Sequence, residues 1–466
     1  MKREKLTAAR VRKRYTLEEV AELLGVGAHT VYKWEAGKAT PRFYNIQKLC
    51  DLYEATPWEL GLNAERSVVS PEAEATGETL GKLMKTDLTL RLLAIVFEPR
   101  RLSYQQLQRL QDKILQIFQE ETSMENDIIS RREALHRLAL LPFATLRLSA
   151  LGASFNRPIE EILTQCAAGI AACWQLSNSA EGSDLGFAFA SVSGYLPTLK
   201  AIVKDSSRYR TTAASLVGQC ALLQTMLGWH LQGLKEAEYY AQEAVTYSKE
   251  AQNAALWVSA LDYAAWVYYY AKRSPQALHT VEQAIPLLKQ KPHADPLPLR
   301  LCGDVYGTLA VMQVKNGQEA TTAMGLATEA FFALPIGGPH LASLDFTSSV
   351  SEFVTKEGTV HCCQGRPDRA VNALSQLIDA KTLVANTPMP GRAHIQVLHD
   401  IARALLKSET RDMERVIHYW KAALEGAMKL RSERHFSEVL VTYEIMESVW
   451  PTDKRVKELR DLIKHW

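Results

Sequence analysis

The sequence lacks the marks of most enzymes, secreted scaffolds and metal-binding proteins. Its 7 cysteines are odd in number and scattered, which excludes a regular disulfide framework and indicates reduced thiols. It contains no His-Glu-x-x-His, Gly-x-Ser-x-Gly or Cys-x-x-Cys motif. The formal net charge is only +2, so the chain as a whole is no general polyanion binder. We therefore expect no enzyme, no cofactor and no metal site.

Long apolar runs are also scarce. One stretch, residues 254–271, has the length of a membrane span. Asp262 at its centre would cost about 2.5–3.5 kcal/mol in lipid, and its aromatic residues do not gather at the two ends. The stretch predicts a packed helix and no membrane partner. The N-terminus is charged rather than apolar, so we expect a cytoplasmic protein.

A compact pattern does occur near the start of the chain. Residues 15–41 predict two short helices joined by a tight turn at Gly25. Thr16 is expected to cap the first helix, and Gly27 stands at the cap position of the second. The predicted buried positions are Val20, Leu23, Leu24, Val31 and Trp34. The opposite face of each helix is left free.

This segment resembles a known family. Residues 6–62 are similar to the helix-turn-helix domain of the phage-repressor (Cro/cI, XRE) family. The matching pattern is Thr16-x-x-Glu19-Val20-Ala21-x-x-Leu24-Gly25-Val26, then Thr30-Val31-x-x-Trp34-Glu35-x-Gly37-Lys38-x-x-Pro41. The resemblance implies an all-α, five-helix, lambda-repressor-like domain over residues 1–66 that binds double-stranded DNA. It also implies that the second helix enters the major groove.

The face that this second helix leaves open predicts which residues meet DNA bases. Lysine donates to guanine, histidine donates or accepts, and an alanine methyl packs on thymine. The predicted base-reading residues are Ala28, His29, Thr30, Tyr32 and Lys33.

Basic residues concentrate in the same region. Residues 1–66 hold 12 Lys plus Arg against 9 Asp plus Glu, which leaves the other 400 residues close to neutral. Such a cluster neutralises phosphates and predicts salt-dependent binding. The predicted phosphate contacts are Arg10, Lys13, Arg14, Thr16, Lys38 and Arg42.

Two connecting regions follow. Residues 67–100 predict a linker, because they begin with Ser, Pro, Gly and acids in no regular period. Residues 101–155 predict a helical connector, in which Leu107, Leu110, Ile114 and Ile117 recur at spacings of three and four. This short seam is typical of a dimer contact or of packing within the chain.

Residues 156–466 predict a series of paired helices. A small residue follows a turn at Ala237, Ala277, Ala320 and Ala370, at successive spacings of 40, 43 and 50 residues. These units resemble tetratricopeptide repeats, whose period is about 34 residues. The resemblance implies an α-solenoid with a concave groove. In its second unit the candidate groove residues are Ser259, Asp262, Trp266, Tyr269 and Tyr270, for which core packing is the alternative.

Together these features predict a bacterial DNA-binding transcriptional regulator. We expect a homodimer whose repeat region senses a peptide, a small molecule or a protein. The alternative is a protein-interaction scaffold that keeps the helix-turn-helix fold without binding DNA.

Overall fold

The computed structural model describes residues 4–13, 15–24, 26–39, 41, 45, 48–49, 52–53, 60, 110–111, 131–150, 159–206, 208–289, 299–332, 350–387 and 389–464. The chain forms two compact units, Met1–Lys82 and Leu83–Trp466. Nearly all described residues are helical, and the one β-bridge among them pairs Ile378 with Ala385. The predicted linker 67–100, most of the predicted connector 101–155, and Arg14, Gly25 and Arg42 lie outside the described residues.

The first unit contains helices α1 (Glu4–Arg12), α2 (Leu17–Leu24) and α3 (Ala28–Glu35). Thr16 caps α2 reciprocally with Glu19: each backbone N–H donates to the other's side chain, at 2.7 and 3.1 Å. Gly27 is the N-cap of α3. The core residues of this unit are Leu6, Ala9, Val20, Ala21, Leu24, Val31, Trp34, Leu49, Tyr53 and Leu60.

Leu23 departs from its predicted place. It is 55% exposed, whereas Val20, Ala21 and Leu24 are buried. The prediction of a buried Leu23 is therefore wrong. The buried stripe runs through positions i, i+1 and i+4 from Val20, and Leu23 lies beside it on the solvent side.

The second unit is a series of helices. In chain order they are α4 (Arg131–Ala150), α5 (Ile159–Leu176), α6 (Gly182–Asp205), α7 (Arg210–Leu231), α8 (Leu234–Glu250), α9 (Ala254–Tyr270), α10 (Ser274–Glu282), α11 (Ile285–Lys289), α12 (Leu299–Lys315), α13 (Thr321–Phe332), α14 (Val350–Cys363), α15 (Pro367–Leu374), α16 (Gly391–Lys407), α17 (Met413–Leu430), α18 (Glu433–Val449) and α19 (Lys454–Ile463).

The turns and small residues noted in the sequence explain how these helices pair. Gly317 and Gly365 have φ of +72° and +71°, a backbone conformation that glycine adopts without strain. After the turns, Ala237, Ala277, Ala320 and Ala370 are each at most 1% exposed. Their small side chains allow close approach between paired helices.

One side of the series closes on itself. The helices α7, α9, α12, α14, α16 and α18 contact one another in that order, and α18 also contacts α7. We call these six the inner helices. Because the last inner helix returns to the first, the solenoid surrounds its own inner face instead of leaving an open groove.

The loop between α5 and α6 takes part in this closure. The backbone N–H of Gly391 donates to the Asn178 carbonyl at 3.3 Å. Gly182, at the start of α6, approaches the Leu430 carbonyl so closely that a Cβ atom would collide with it. The two ends of the repeat series therefore meet through backbone as well as side chains.

One described helix, α6, has the length and apolar composition of a membrane span, and 44% of that stretch is buried in the structure. Buried core helices of soluble proteins share this character, and α6 packs on α5 and α7. The stretch flagged in the sequence forms α9, with Asp262 only 3% exposed.

The close contact between Gly182 and the Leu430 carbonyl can be tested by glycine substitution. Gly182→Ala adds a methyl group against the Leu430 carbonyl, so we expect it to destabilise the second unit by roughly 1–3 kcal/mol. Gly186→Ala, one turn later in the same helix, meets nothing within 4 Å and should stabilise by up to about 1 kcal/mol. Urea unfolding measures both. Equal effects of the two substitutions would contradict the closing contact.

Candidate functional site

The helix α3 presents a clear division between a buried and an open face. Val31 is 1% and Trp34 is 4% exposed, which anchors the helix on the core. His29, Tyr32 and Lys33 are exposed on the other side. The remaining predicted base-reading residues, Ala28 and Thr30, are partly buried. The helix therefore offers three large polar side chains to solvent next to two small ones.

These exposed side chains are arranged around Tyr32. The His29 and Tyr32 rings stack with centroids 6.1 Å apart, and the Lys38 Nζ lies 5.9 Å from the Tyr32 centroid. Thr16 is exposed at the start of α2, and Lys13 is partly exposed after α1. The surface thus combines flat rings and cations, groups that contact base edges and phosphates.

Arg10 faces inward instead. Its Nε donates to Glu35 Oε1 at 2.6 Å, its Nη2 to Glu35 Oε2 at 3.1 Å and its Nη1 to the Tyr15 carbonyl at 2.9 Å. The Thr7 hydroxyl also donates to Glu35, at 3.1 Å. The hydrogen bond to Glu35 is the largest cause that raises the pKa of Arg10. This arginine joins α1 to the end of α3.

The candidate groove residues lie on α9. Ser259 and Asp262 are 2% and 3% exposed, and the Ser259 hydroxyl donates to the Ala255 carbonyl of its own helix. Trp266, Tyr269 and Tyr270 are partly exposed, with ring centroids 5.0–6.1 Å apart. The structure therefore brings the three aromatic residues together, with the acid and the serine deeper in the unit.

Asp262 belongs to a buried charged cluster spread over three inner helices. Lys356 on α14 pairs with Asp304 on α12, and both are buried. Trp266 Nε1 donates to Thr308 Oγ1 at 3.1 Å. Burial, partly offset by Lys356, raises the pKa of Asp262 to about 7. Its Oδ1 atom has no hydrogen-bond partner in the part of the chain that the structure describes.

A second cluster surrounds Arg434 on α18. Its guanidinium stacks on Trp229, 3.8 Å from the ring centroid, and Nη2 donates to Tyr270 Oη at 3.0 Å and to Gln396 Oε1 at 2.7 Å. Burial works to raise the pKa of Glu438, but Arg434 and His435 outweigh it, so the pKa lies below its ordinary value. Asp400 nearby has its pKa raised to about 6, chiefly by burial.

Of the residues in these two clusters, the sequence analysis named Asp262, Trp266 and Tyr270 and missed the others. Asp304, one of the residues that were missed, is the single acidic residue of the mostly apolar helix α12. A single charged residue in a buried helix indicates a buried ion pair, because an unpaired buried charge is costly.

Comparison with known proteins agrees with the geometry of the first unit. Residues 3–61 match the family model described as Helix-turn-helix domain. The N-terminal unit contains a helix-turn-helix domain. A search of curated proteins finds no match for the chain. Among solved structures, the crystal structure of Bacillus thuringiensis PlcR in complex with the peptide PapR7 and DNA matches at 11% identity and a TM-score of 0.32, over 71% of this chain and 94% of that chain.

The inward position of Arg10 predicts a structural role for its partner. Glu35→Ala leaves the Arg10 guanidinium without a carboxylate and should destabilise the helix-turn-helix domain by roughly 1–3 kcal/mol. Glu22→Ala, at an exposed position of α2, is the matched control. Thermal unfolding followed by circular dichroism measures both. A Glu35→Ala variant as stable as the control would show that the ion pair contributes nothing.

Asp262 predicts a pH dependence of the second unit. An aspartate has an ordinary pKa of about 3.9 in the unfolded chain. With the folded value at about 7, the folded state binds the extra proton between these limits, so stability falls as pH rises through that window. Asp262→Asn should remove this loss of stability. The stability of the variant relative to the parent should therefore be greater at pH 8 than at pH 5. Urea unfolding at both pH values tests it, with exposed Asp205→Asn as control. The same difference at both pH values would refute the assignment.

Proposed function

We propose that the protein is a sequence-specific, DNA-binding transcriptional regulator. The observation that carries this proposal is the open face of α3, where His29, Tyr32 and Lys33 stand free of the core in the second helix of a helix-turn-helix domain. In this arrangement the second helix lies in the major groove, with its first turns at the base edges.

Roles for individual residues follow from their positions. His29, Tyr32 and Lys33 would read bases, with Ala28 and Thr30 packing beside them. Lys13, Thr16 and Lys38 would contact phosphates. For Arg10 we propose a structural role, because its donors are used by Glu35 and Tyr15.

The repeat unit would carry the sensing function. Its inner face places aromatic and charged side chains from several helices together, including Trp266, Tyr270 and Arg434. Such a surface suits a polar effector, whether peptide, small molecule or protein. We further propose a cytoplasmic, bacterial protein of the phage-repressor (Cro/cI, XRE) family that binds as a homodimer, with half-sites about 34 Å apart.

The test separates base reading from phosphate binding. Duplexes selected by the full chain from a random library supply the cognate site. Lys33→Ala or His29→Ala should reduce discrimination at one base pair by about 1–3 kcal/mol. Lys38→Ala should weaken cognate and scrambled duplexes equally and lower the slope of log K against log salt by about 0.9. Fluorescence anisotropy at several salt concentrations measures both effects.

Glu22→Ala is the control, since it removes an exposed charge from α2 outside the proposed contacts. If selection enriches no sequence, the scaffold alternative replaces the proposal. If all variants change affinity in the same way, the division into base and phosphate contacts fails.

A further inference from the structure

Arg392 is a buried cation inside the closed repeat unit. It is the second residue of α16 and is 8% exposed. Its Nη1 donates to the Ser177 carbonyl at 2.5 Å and to Asn178 Oδ1 at 3.1 Å. Among the residues that the structure describes, its buried Nη2 atom finds no hydrogen-bond partner. The two acceptors on the α5–α6 loop are neutral, and they use only some of the N–H donors of the Arg392 guanidinium.

This guanidinium lacks a direct ion pair among the described residues. Within the described part of the chain, no carboxylate forms an ion pair with Arg392, whereas Arg132, Arg273, Arg434 and Arg455 all have one. A buried charge without a counter-ion is strongly unfavourable. The first turn of α16 adds to the cost, because a helix N-terminus carries partial positive charge.

The groups around Arg392 act on its charge in both directions. Burial and the neighbouring Arg434 both lower the pKa of Arg392, against opposing effects of Tyr263 and Glu352. Burial is the largest cause that raises the pKa of Glu352 well above its ordinary value, which disfavours the charged form of this carboxyl group. Arg434 Nε forms an ion pair with Glu438 Oε1 at 3.6 Å, but among the described residues it has no hydrogen-bond partner.

We propose that an oxyanion, the carboxylate or phosphate group of a small effector, binds at Arg392 on the inner side of the contact between the α5–α6 loop and α16. A guanidinium fork matches a two-oxygen anion, and Nη2 is the donor that this anion would take. The inference rests on the proposed function, in that the anion would be part of the effector sensed by the repeat unit.

Because of the position of Arg392, anion binding would be coupled to closure of the ring of inner helices. Arg392 is on the fifth inner helix, and its acceptors Ser177 and Asn178 precede the first. Because Nη2 is enclosed in the closed form, the anion enters while this contact is open and is retained when it closes. An anion that neutralises Arg392 offsets the cost of burying its charge, so it stabilises the closed ring.

The experiment measures the melting temperature of the full chain, without DNA, in inorganic phosphate, in acetate and in chloride at equal ionic strength. Phosphate stabilises many proteins nonspecifically, so the informative quantity is the difference between the parent and Arg392→Gln. We expect phosphate or acetate to raise the melting temperature of the parent by several degrees more than it raises that of Arg392→Gln. The arm with the larger effect identifies the anion class.

The chloride arm separates this role from a purely structural one. Arg392→Gln removes an uncompensated charge, so in chloride it should be at least as stable as the parent. Arg369→Gln, at an exposed position on α15, should respond to anions as the parent does. If Arg392→Gln is destabilised in chloride and no anion favours the parent, Arg392 only holds Ser177 and the proposal is overturned.

Failure here is distinguishable from failure of the proposed function. Loss of the anion response leaves the base and phosphate readouts of Lys33→Ala and Lys38→Ala untouched, because those residues are in the first unit. Anion binding that persists in a chain unable to select DNA would support the site and refute the regulator.

Discussion

The repeat unit depends on the contact between α7 and α18. Stacked helix pairs bury their apolar faces on their neighbours, which leaves the first and last pairs with faces to protect. Here each end covers the other. His230 Nδ1 lies 2.8 Å from Ser432 Oγ across the contact, and Arg434 stacks on Trp229. The same contact that protects the ends also encloses the inner face.

Enclosure changes the energetics of the charges on that face. In an open groove these side chains would remain hydrated, but inside the closed ring each needs a partner. Lys356 with Asp304 meets this condition. Asp262 and Arg392, opposite in charge, each keep an unpartnered atom. Among the described residues, the inner face therefore holds polar atoms whose hydrogen-bonding capacity is not fully used, which a packed core rarely shows.

The helix pairs could be predicted from local sequence features. Contacts between residues far apart in the chain could not. Ala237 and Ala277 follow turns in the sequence and are buried as the repeat pattern implies. Ring closure was not predictable, because it accumulates from small rotations between successive pairs and not from any one residue. Arg392 and Ser177 are 215 residues apart, so neither indicates the other in the sequence.

The same reason explains the exposed face of the first unit and the position of Arg10. The period of α3 fixed which side Val31 and Trp34 bury, so the open face followed from spacing alone. Arg10 looked like one more member of a basic cluster because its partner, Glu35, is 25 residues away. An ion pair between residues far apart in the sequence produces no local sequence pattern.

The inward position of Arg10 also bears on how such a domain would hold DNA. Affinity for a duplex grows with the number of phosphates neutralised, and a guanidinium bonded to Glu35 and the Tyr15 carbonyl contributes little to that number. A single domain with fewer phosphate contacts binds weakly, whereas two linked domains raise affinity through effective concentration, provided that their spacing matches the half-sites. Affinity then depends steeply on geometry.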